Sequence, residues 1–240
     1  MGKQRLDKLM VAKGLVISRS QAESWIRLGK VTVNQRPITK AGFLVDEEIM
    51  PELHTTEQYV SRAGLKLASV AESLHLDFRD KVMLDVGSST GGFTDYALQH
   101  GAKKVIAVEV GTDQLHPNLQ GNAKIELHEQ TDIRDMYKLS SIPDVVVIDV
   151  SFISLRDVLP HIRTLCDKHT QIIAMVKPQF EATVSNVKHK GVIKNDHMRR
   201  DILKDFEEWA RQYFVVQAKV DSEIAGAKGN LERFYKLQRG

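Results

Sequence analysis

Cysteine is almost absent from this chain, and long apolar runs are absent altogether. Cys166 is the only cysteine among 240 residues, which excludes an internal disulfide and favours a reducing, cytoplasmic compartment. The longest apolar run, residues 172–176, is far shorter than the roughly 20 residues that a membrane-spanning helix needs. We find no secretion signal and no metal-ligand spacing among His161, His169, His189 and His197. The chain is therefore expected to lie in the cytoplasm, without a membrane partner and without a bound metal.

Acidic residues are scarce in the first 45 residues. This segment has nine lysines and arginines but only Asp7 and Glu23 as acids, a net charge of +7. Because the whole chain carries +3, the remainder carries −4. A compact basic end on a mildly acidic body indicates a module that binds a polyanion, although a merely solvated surface would show the same excess.

The first 58 residues are predicted to form a small α+β domain. Leu6, Leu9 and Met10 share one face of a helix that Gly14 ends. Ser20 and Glu23 have the spacing of a capping box, which predicts a second helix up to Gly29. A short strand follows at residues 31–33, and residues 51–59 are expected to be a linker without regular structure.

This region resembles the alpha-L RNA-binding motif. The resemblance rests on RLDKLMVAKGL from residue 5 and on SRSQAESWIRLGKVTVNQRPI from residue 18. It implies that five basic side chains contact RNA phosphates, which contribute affinity and positioning but no base specificity. They are Arg5, Arg19, Arg27, Lys30 and Arg36.

From residue 59 to residue 240, apolar strand candidates alternate with helical segments. The candidate strands are residues 82–86, 104–110, 125–129, 144–150, 171–176 and 213–220. Helical spacing covers residues 61–76 and 196–213, and in the second of these Ile202, Leu203, Phe206 and Trp209 are expected to face the core. Such alternation predicts an α/β fold, with a mostly parallel, Rossmann-like sheet and helices on both faces.

A glycine-rich loop follows the first strand of this domain. Its sequence from residue 85 is DVGSSTGGFTD, in which Gly87, Ser88, Ser89, Gly91 and Gly92 are the candidate cofactor-binding residues after Asp85. No Gly-Lys-Ser/Thr follows, so the loop is not a phosphate-binding P-loop. The glycine spacing also differs from G-x-G-x-x-G, which disfavours an NAD-dependent dehydrogenase.

An acidic residue ends the next strand, and another follows the strand after it. Glu109 lies where nucleotide-binding folds place a carboxylate for ribose hydroxyls, and Asp132 could accept a hydrogen bond from an adenine amino group. Asp85 could bind the amino-acid part of the same cofactor. The arrangement of loop and acids resembles that of methyltransferases that use S-adenosylmethionine. Glu109 and Asp132 could alternatively be solvated acids at strand ends.

Two further strands end in charged residues. Asp149 follows four apolar residues in VVVIDVSFISL, and Lys177 closes the strand in IIAMVKPQFE. A lysine at the end of a buried strand is costly unless it is paired. Because neighbouring parallel strands end at one edge of the sheet, Asp149 and Lys177 are expected to lie together beside the cofactor.

Nearly the whole chain resembles the TlyA family. The motifs are YVSRAGLKL from residue 59, DVGSSTGGFTD, DVSFISL, KPQFE and GAKGNLE from residue 226. The resemblance implies an alpha-L domain followed by an FtsJ-like domain that methylates ribose 2′-hydroxyls of ribosomal RNA. It also implies that Lys66, Asp149, Lys177 and Glu232 form the Lys-Asp-Lys-Glu catalytic set, with Lys177 as general base and Lys66 as a second cation.

The chain departs from the family pattern near the cofactor loop. Glu109 and Asp132 stand where Asp and Asn are common, Glu223 stands where Pro is frequent, and residues 111–115 read GTDQL where Gly-Tyr-Gly-Gln-Leu is usual. Two alternatives stay open. One is a non-catalytic RNA-binding protein with a vestigial methyltransferase fold, and the other is a membrane-lytic protein, as the hemolysin label of the family suggests.

Overall fold

The structure is a computed structural model that describes residues 2–16, 18–55, 59–184, 191–226 and 229–240. The N-terminal part contains two helices and five short strands. They are β1 (Lys3–Arg5), α1 (Leu6–Ala12), α2 (Arg19–Arg27), β2 (Val31–Val33), β3 (Arg36–Pro37), β4 (Leu44–Asp46) and β5 (Glu52–Leu53). Strand β1 pairs with β4, and β2 lies between β3 and β5, all antiparallel.

Two details of this part differ from the sequence prediction. The hydroxyl of Ser18, not Ser20, caps α2, because it accepts a hydrogen bond from the Gln21 amide at 3.2 Å. The expected linker contains β5, which pairs with β2 and so continues the sheet. The expected apolar face of α1 is confirmed, since Leu6, Leu9 and Met10 are buried.

The larger part alternates strands and helices around one sheet. Its elements are α3 (Arg62–Ala71), β6 (Val82–Val86), α4 (Gly92–Gln99), β7 (Lys104–Val108), β8 (Ile125–His128), β9 (Val145–Ile148), α5 (Leu155–Leu165), β10 (Gln171–Val176), α6 (Pro178–Val184), α7 (Asp196–Ala210), β11 (Phe214–Asp221) and β12 (Arg233–Arg239). Single 3₁₀ turns occupy Pro117–Leu119 and Ile133–Asp135.

The sheet has the order β11-β12-β10-β9-β6-β7-β8. Its five strands from β10 to β8 are parallel, whereas β12 runs antiparallel to β10 and β11 antiparallel to β12. The predicted mostly parallel sheet is therefore confirmed. Strand β12 was not predicted, and it separates β11 from the rest of the sheet.

Helices cover both faces of this sheet, as predicted. Alternate residues of each central strand enter different cores, so that Met83 packs on the side of α3 and α4 while Leu84 packs on the side of α5 and α7. Of the four residues expected to face the core in α7, Ile202, Leu203 and Phe206 are buried, and Trp209 is partly buried against the core. Among the described helices, none has the length and apolar composition that crossing a bilayer requires.

The two parts of the chain share one hydrophobic core. Buried side chains of α1 and α2, such as Leu9 and Ile26, belong to the same cluster as Leu65 of α3 and Phe93 of α4. The connection is also polar, because the Gln21 side-chain amide donates a buried hydrogen bond to the Tyr59 carbonyl at 2.8 Å. The N-terminal part therefore packs directly against the sheet-bearing part.

Candidate active site

The loop after β6 begins with a buried carboxylate. Asp85 is 1% exposed, and its Oδ2 accepts a hydrogen bond from the Thr94 hydroxyl at 2.6 Å. Its Oδ1 has no hydrogen-bond partner among the described residues. Burial raises the pKa of Asp85 to about 7 against the opposing hydrogen bond from Thr94, and the negative charges of Asp149 and Glu109 raise it further.

Three glycines shape this loop in different ways. Gly87 has φ +80°, and a Cβ there would lie 2.7 Å from the Asp149 carbonyl oxygen, so the turn requires glycine. Gly91, with φ +84°, caps α4 against Leu115 and Leu119. Gly92 faces the first turn of α3, where a side chain would collide with Ala63. The last two thus fit the loop to neighbouring elements.

A cavity of about 410 Å³ opens beside the loop. Its polar lining includes Gly87, Ser89, Glu109, Asp132 and Asp149. The volume lies within the range of small-molecule sites, roughly 300–1,000 Å³. The three carboxylates in this lining favour a cationic ligand that also carries hydroxyl or amino donors.

Glu109 is fixed by the loop that it faces. Its Oε2 accepts a hydrogen bond from the Ser89 amide at 2.9 Å, and its Oε1 accepts one from the Gly111 amide at 2.7 Å. A carboxylate oxygen has two lone-pair directions, so each oxygen retains one for a ligand. The hydroxyl of the neighbouring Ser88 is buried and has no partner among the described residues.

Asp132 reaches the same cavity but already has a cationic partner. Arg134 donates to its carboxylate from Nε at 3.0 Å and from a terminal nitrogen at 2.6 Å. These hydrogen bonds lower the pKa of Asp132, against a smaller effect of burial. Any contact from this carboxylate to an adenine amino group must therefore share it with Arg134.

A second cavity, of about 260 Å³, adjoins the first. Lys66, Lys177 and Glu232 line it, and Ser151 and Phe152 line both cavities. Asp149 lines the first cavity and joins this group through an ion pair of 2.6 Å with Lys177 Nζ. The four residues expected to act together are thus brought together from four separate elements.

The four charges form two ion pairs. Lys66, 6% exposed, is hydrogen-bonded to Glu232, which is 3% exposed. Lys177 Nζ also donates to the Ser151 hydroxyl at 2.7 Å, so a neutral oxygen and the Asp149 carboxylate hold it together. Because each lysine has its own carboxylate, the charge of Lys66 is balanced locally.

Two residues of this site were not among the predicted ones. Ser151 and Phe152 stand within the DVSFISL motif, yet no role was assigned to them. Phe152 has φ +67° and is 90% exposed, and its ring centroid lies 5.3 Å from that of Phe180. An exposed aromatic residue held in the left-handed region is unusual, and its place between the two cavities indicates a function. The DVSFISL motif could have pointed to these two residues, but the left-handed backbone of Phe152 is visible only in the structure.

The five basic residues expected to contact RNA fall into two groups. Arg5 and Arg19 both pair with the buried Asp7, at 2.7 and 2.8 Å. Burial alone would raise the pKa of Asp7, but these hydrogen bonds outweigh it and lower the pKa to about 2. The others, Arg27, Lys30 and Arg36, are exposed.

The candidate histidines gather no metal site within the described ranges. No cluster of three metal-ligating side chains occurs there. His161 hydrogen-bonds to the Met136 carbonyl at 2.9 Å, and His197 pairs with Asp201 at 2.7 Å. His189 lies outside the described residues.

Comparison with known proteins matches both parts of the chain. Residues 59–239 match the FtsJ-like methyltransferase family and residues 4–48 match the S4 domain. The chain is 38% identical to the 23S rRNA (cytidine-2'-O)-methyltransferase TlyA of Campylobacter jejuni, covering 94% of this chain and 96% of that protein. It is 36% identical to Hemolysin A of Brachyspira hyodysenteriae, covering 95% of this chain and 97% of that protein.

A solved structure is also similar to this chain. It is named as a hemolysin from Streptococcus thermophilus, and it is 34% identical with a TM-score of 0.72. The match covers 100% of this chain and 89% of that one. Together these matches confirm the resemblance to TlyA and the methyltransferase fold that the motifs predict.

Proposed function

Because this chain belongs to the FtsJ-like methyltransferase family, in its TlyA branch, we propose that it methylates ribose 2′-hydroxyls of ribosomal RNA with S-adenosylmethionine. One observation carries the proposal. Lys66, Lys177 and Glu232 line one cavity, and Asp149 pairs with Lys177 from the wall of the neighbouring, acid-lined cavity. A cofactor in the first cavity and a ribose in the second would therefore both lie next to the Asp149–Lys177 pair.

The first cavity suits the cofactor chemically. S-adenosylmethionine, when bound, supplies an electrophilic methyl group on a positively charged sulfur. Asp85 Oδ1 and the Ser88 hydroxyl belong to the loop beside this cavity and are buried with no hydrogen-bond partner among the described residues, so they could bind its ammonium and carboxylate groups. Glu109 could accept hydrogen bonds from its ribose, and Asp149 could balance its positive charge.

The second cavity suits the nucleophile. A ribose hydroxyl becomes a competent nucleophile only as its proton leaves, and Lys177, after it has lost its own proton and become a neutral amine, is positioned to accept that proton on Nζ. Asp149, 2.6 Å away, would orient the amine and balance the ammonium that results. Lys66 and Glu232, which line the same cavity, would bind the ribose hydroxyls with one donor and one acceptor.

The N-terminal part would hold the RNA. Arg27, Lys30 and Arg36 are exposed and can contact phosphates, whereas Arg5 and Arg19 would have to share their charge with Asp7. Of the two alternatives, the vestigial methyltransferase is opposed by the presence and convergence of all four catalytic candidates. The lytic alternative gains no support from a membrane-spanning helix, since none of the described helices could cross a bilayer.

The test is transfer of labelled methyl groups from S-adenosylmethionine to ribosomal subunits and to naked ribosomal RNA, followed by mapping of 2′-O-methylated positions. Lys177→Ala should lower the rate by about 10²–10⁴-fold, the usual effect of losing a general base. Lys168→Ala, which removes an exposed lysine near the other end of β10, is the matched control. Calorimetry should show cofactor binding in both variants.

Two outcomes would contradict parts of the proposal. Undiminished transfer by Lys177→Ala would remove the general-base role and leave the methyltransferase function in place. Absence of transfer to any ribosomal RNA or subunit by the wild type would favour the non-catalytic RNA-binding protein.

A further inference from the structure

Ser151 occupies a position that the proposed chemistry does not yet use. It follows β9 by three residues and lines both cavities. Its hydroxyl accepts a hydrogen bond from Lys177 Nζ at 2.7 Å. It is the neutral partner of an amine whose other partner, Asp149, is charged.

The hydrogen bond to Ser151 determines the direction of the amine in a way that the ion pair cannot. The nitrogen of a lysine has four tetrahedral directions, of which Cε occupies one. Asp149 Oδ1 lies 2.6 Å from Nζ but has no hydrogen-bond partner among the described residues, so this contact attracts the amine without setting its rotation about the Cε–Nζ bond. The hydrogen bond to the Ser151 hydroxyl occupies one direction and thereby fixes the other two in space. In the neutral amine one of these two directions belongs to the lone pair.

The loop that bears Ser151 is itself held in place. Glu181, 1% exposed, accepts a hydrogen bond from the Ser154 hydroxyl at 2.7 Å and another from the Leu155 amide at 2.7 Å. The left-handed conformation of Phe152 completes the turn. A hydroxyl on so constrained a loop can act as a fixed reference point for a flexible lysine.

We propose that Ser151 is a positioning residue that aims the lone pair of Lys177 at the ribose hydroxyl. The proposal rests on the proposed function, since it assigns Ser151 a task in the step that Lys177 performs. Among the residues that the structure describes, the charged groups around Lys177 are Asp149 after β9, Arg62 and Lys66 on α3, and Glu232 before β12. Ser151 is uncharged, so its removal changes the orientation of the amine without changing this set.

The first experiment compares Ser151→Ala, Ser151→Thr and Ser69→Ala in the methyl-transfer assay. Ser69→Ala removes a hydroxyl of α3 that donates a hydrogen bond to the Lys66 carbonyl and not to Lys177, so it serves as a matched control. We expect Ser151→Ala to lower kcat by about ten- to a hundredfold, the rate equivalent of one hydrogen bond to a charged group. KM for S-adenosylmethionine and for RNA should stay within about twofold, and Ser151→Thr, which keeps the hydroxyl, should recover most of the rate.

The second experiment does not depend on activity. In protein labelled with ¹³C at lysine Cε, the Lys177 signal is assigned by its loss in Lys177→Arg. A held side chain gives two distinct Hε shifts, and a freely rotating one gives a single averaged shift. Ser151→Ala should merge the two shifts, and Ser151→Thr should keep them apart.

The two experiments separate the two ideas. If Ser151→Ala keeps kcat close to that of Ser69→Ala and keeps distinct Hε shifts, the positioning role of Ser151 is refuted while the methyltransferase proposal survives. If the wild type transfers no methyl group, the proposed function fails, and merged Hε shifts in Ser151→Ala would still support the hold of Ser151 on Lys177.

Discussion

The buried pair between Lys66 and Glu232 permits a quantitative test of how the site is held together. The two residues lie 166 positions apart, on α3 and just before β12, and they are 6% and 3% exposed. Removing one partner leaves the other charge buried, which typically costs about 3–5 kcal/mol. Glu232→Leu and Lys66→Met should therefore each lower the free energy of unfolding by about that amount, or Tm by roughly 6–20 °C.

The double variant should behave differently. Lys66→Met combined with Glu232→Leu leaves no uncompensated charge, so its stability should return to within about 1 kcal/mol of the wild type. Urea unfolding followed by tryptophan fluorescence measures all four corners of the cycle, and their difference gives the coupling free energy. The exposed pair Lys204–Glu208, at 3.7 Å on α7, is the control and should show a coupling below about 1 kcal/mol.

One result would refute this reasoning. If the losses of the two single variants simply add in the double variant, the two charges do not compensate each other. A stable but inactive double variant would show that the reaction, and not the fold, requires this ion pair.

Three further predictions concern other parts of the molecule. Because burial raises the pKa of Asp85 to about 7, the folded state binds a proton that the unfolded state releases near pH 4. Stability should thus fall as the pH rises from about 4 to about 7, and urea unfolding of Asp85→Asn should lack this part of the fall. Replacing the exposed Arg36 by Gln should lower the slope of log K for RNA binding against log salt concentration by about 0.7–0.9, measured by titration at several salt concentrations. Lys138→Gln, which removes an exposed lysine of the larger, sheet-bearing part, should leave this slope unchanged. Gly226→Ala should lower kcat with little change in cofactor affinity, because the new Cβ would lie 2.7 Å from Glu232 Oε1.

The parts of the fold with a strong hydrophobic pattern were predictable. Residues 82–86 and 171–176 form strands with the predicted bounds, because continuous apolar runs are typical of a strand buried on both faces. The convergence of Asp149 and Lys177 was also predictable, since parallel neighbours end at one sheet edge.

What could not be predicted depends on tertiary pairing. Strand β12 interleaves Phe234, Tyr235 and Leu237 with charged residues, so no apolar run marks it. Its position beside β10 is determined by packing, and this position brings Glu232 to the site. In the same way, neither spacing nor composition indicates that Arg5 and Arg19 share the carboxylate of Asp7.

The core common to both parts of the chain restricts their motion relative to each other. Hinge motion requires few packed contacts between the moving parts, whereas here Leu9 and Ile26 pack in the same apolar cluster as Leu65 and Phe93. We therefore expect the exposed Arg27, Lys30 and Arg36 to stay at a constant distance from the cavity that Lys66, Lys177 and Glu232 line. An RNA bound to these basic residues would present to that cavity only the nucleotide at the matching distance. The distance, and not contacts to the base, would then select the nucleotide.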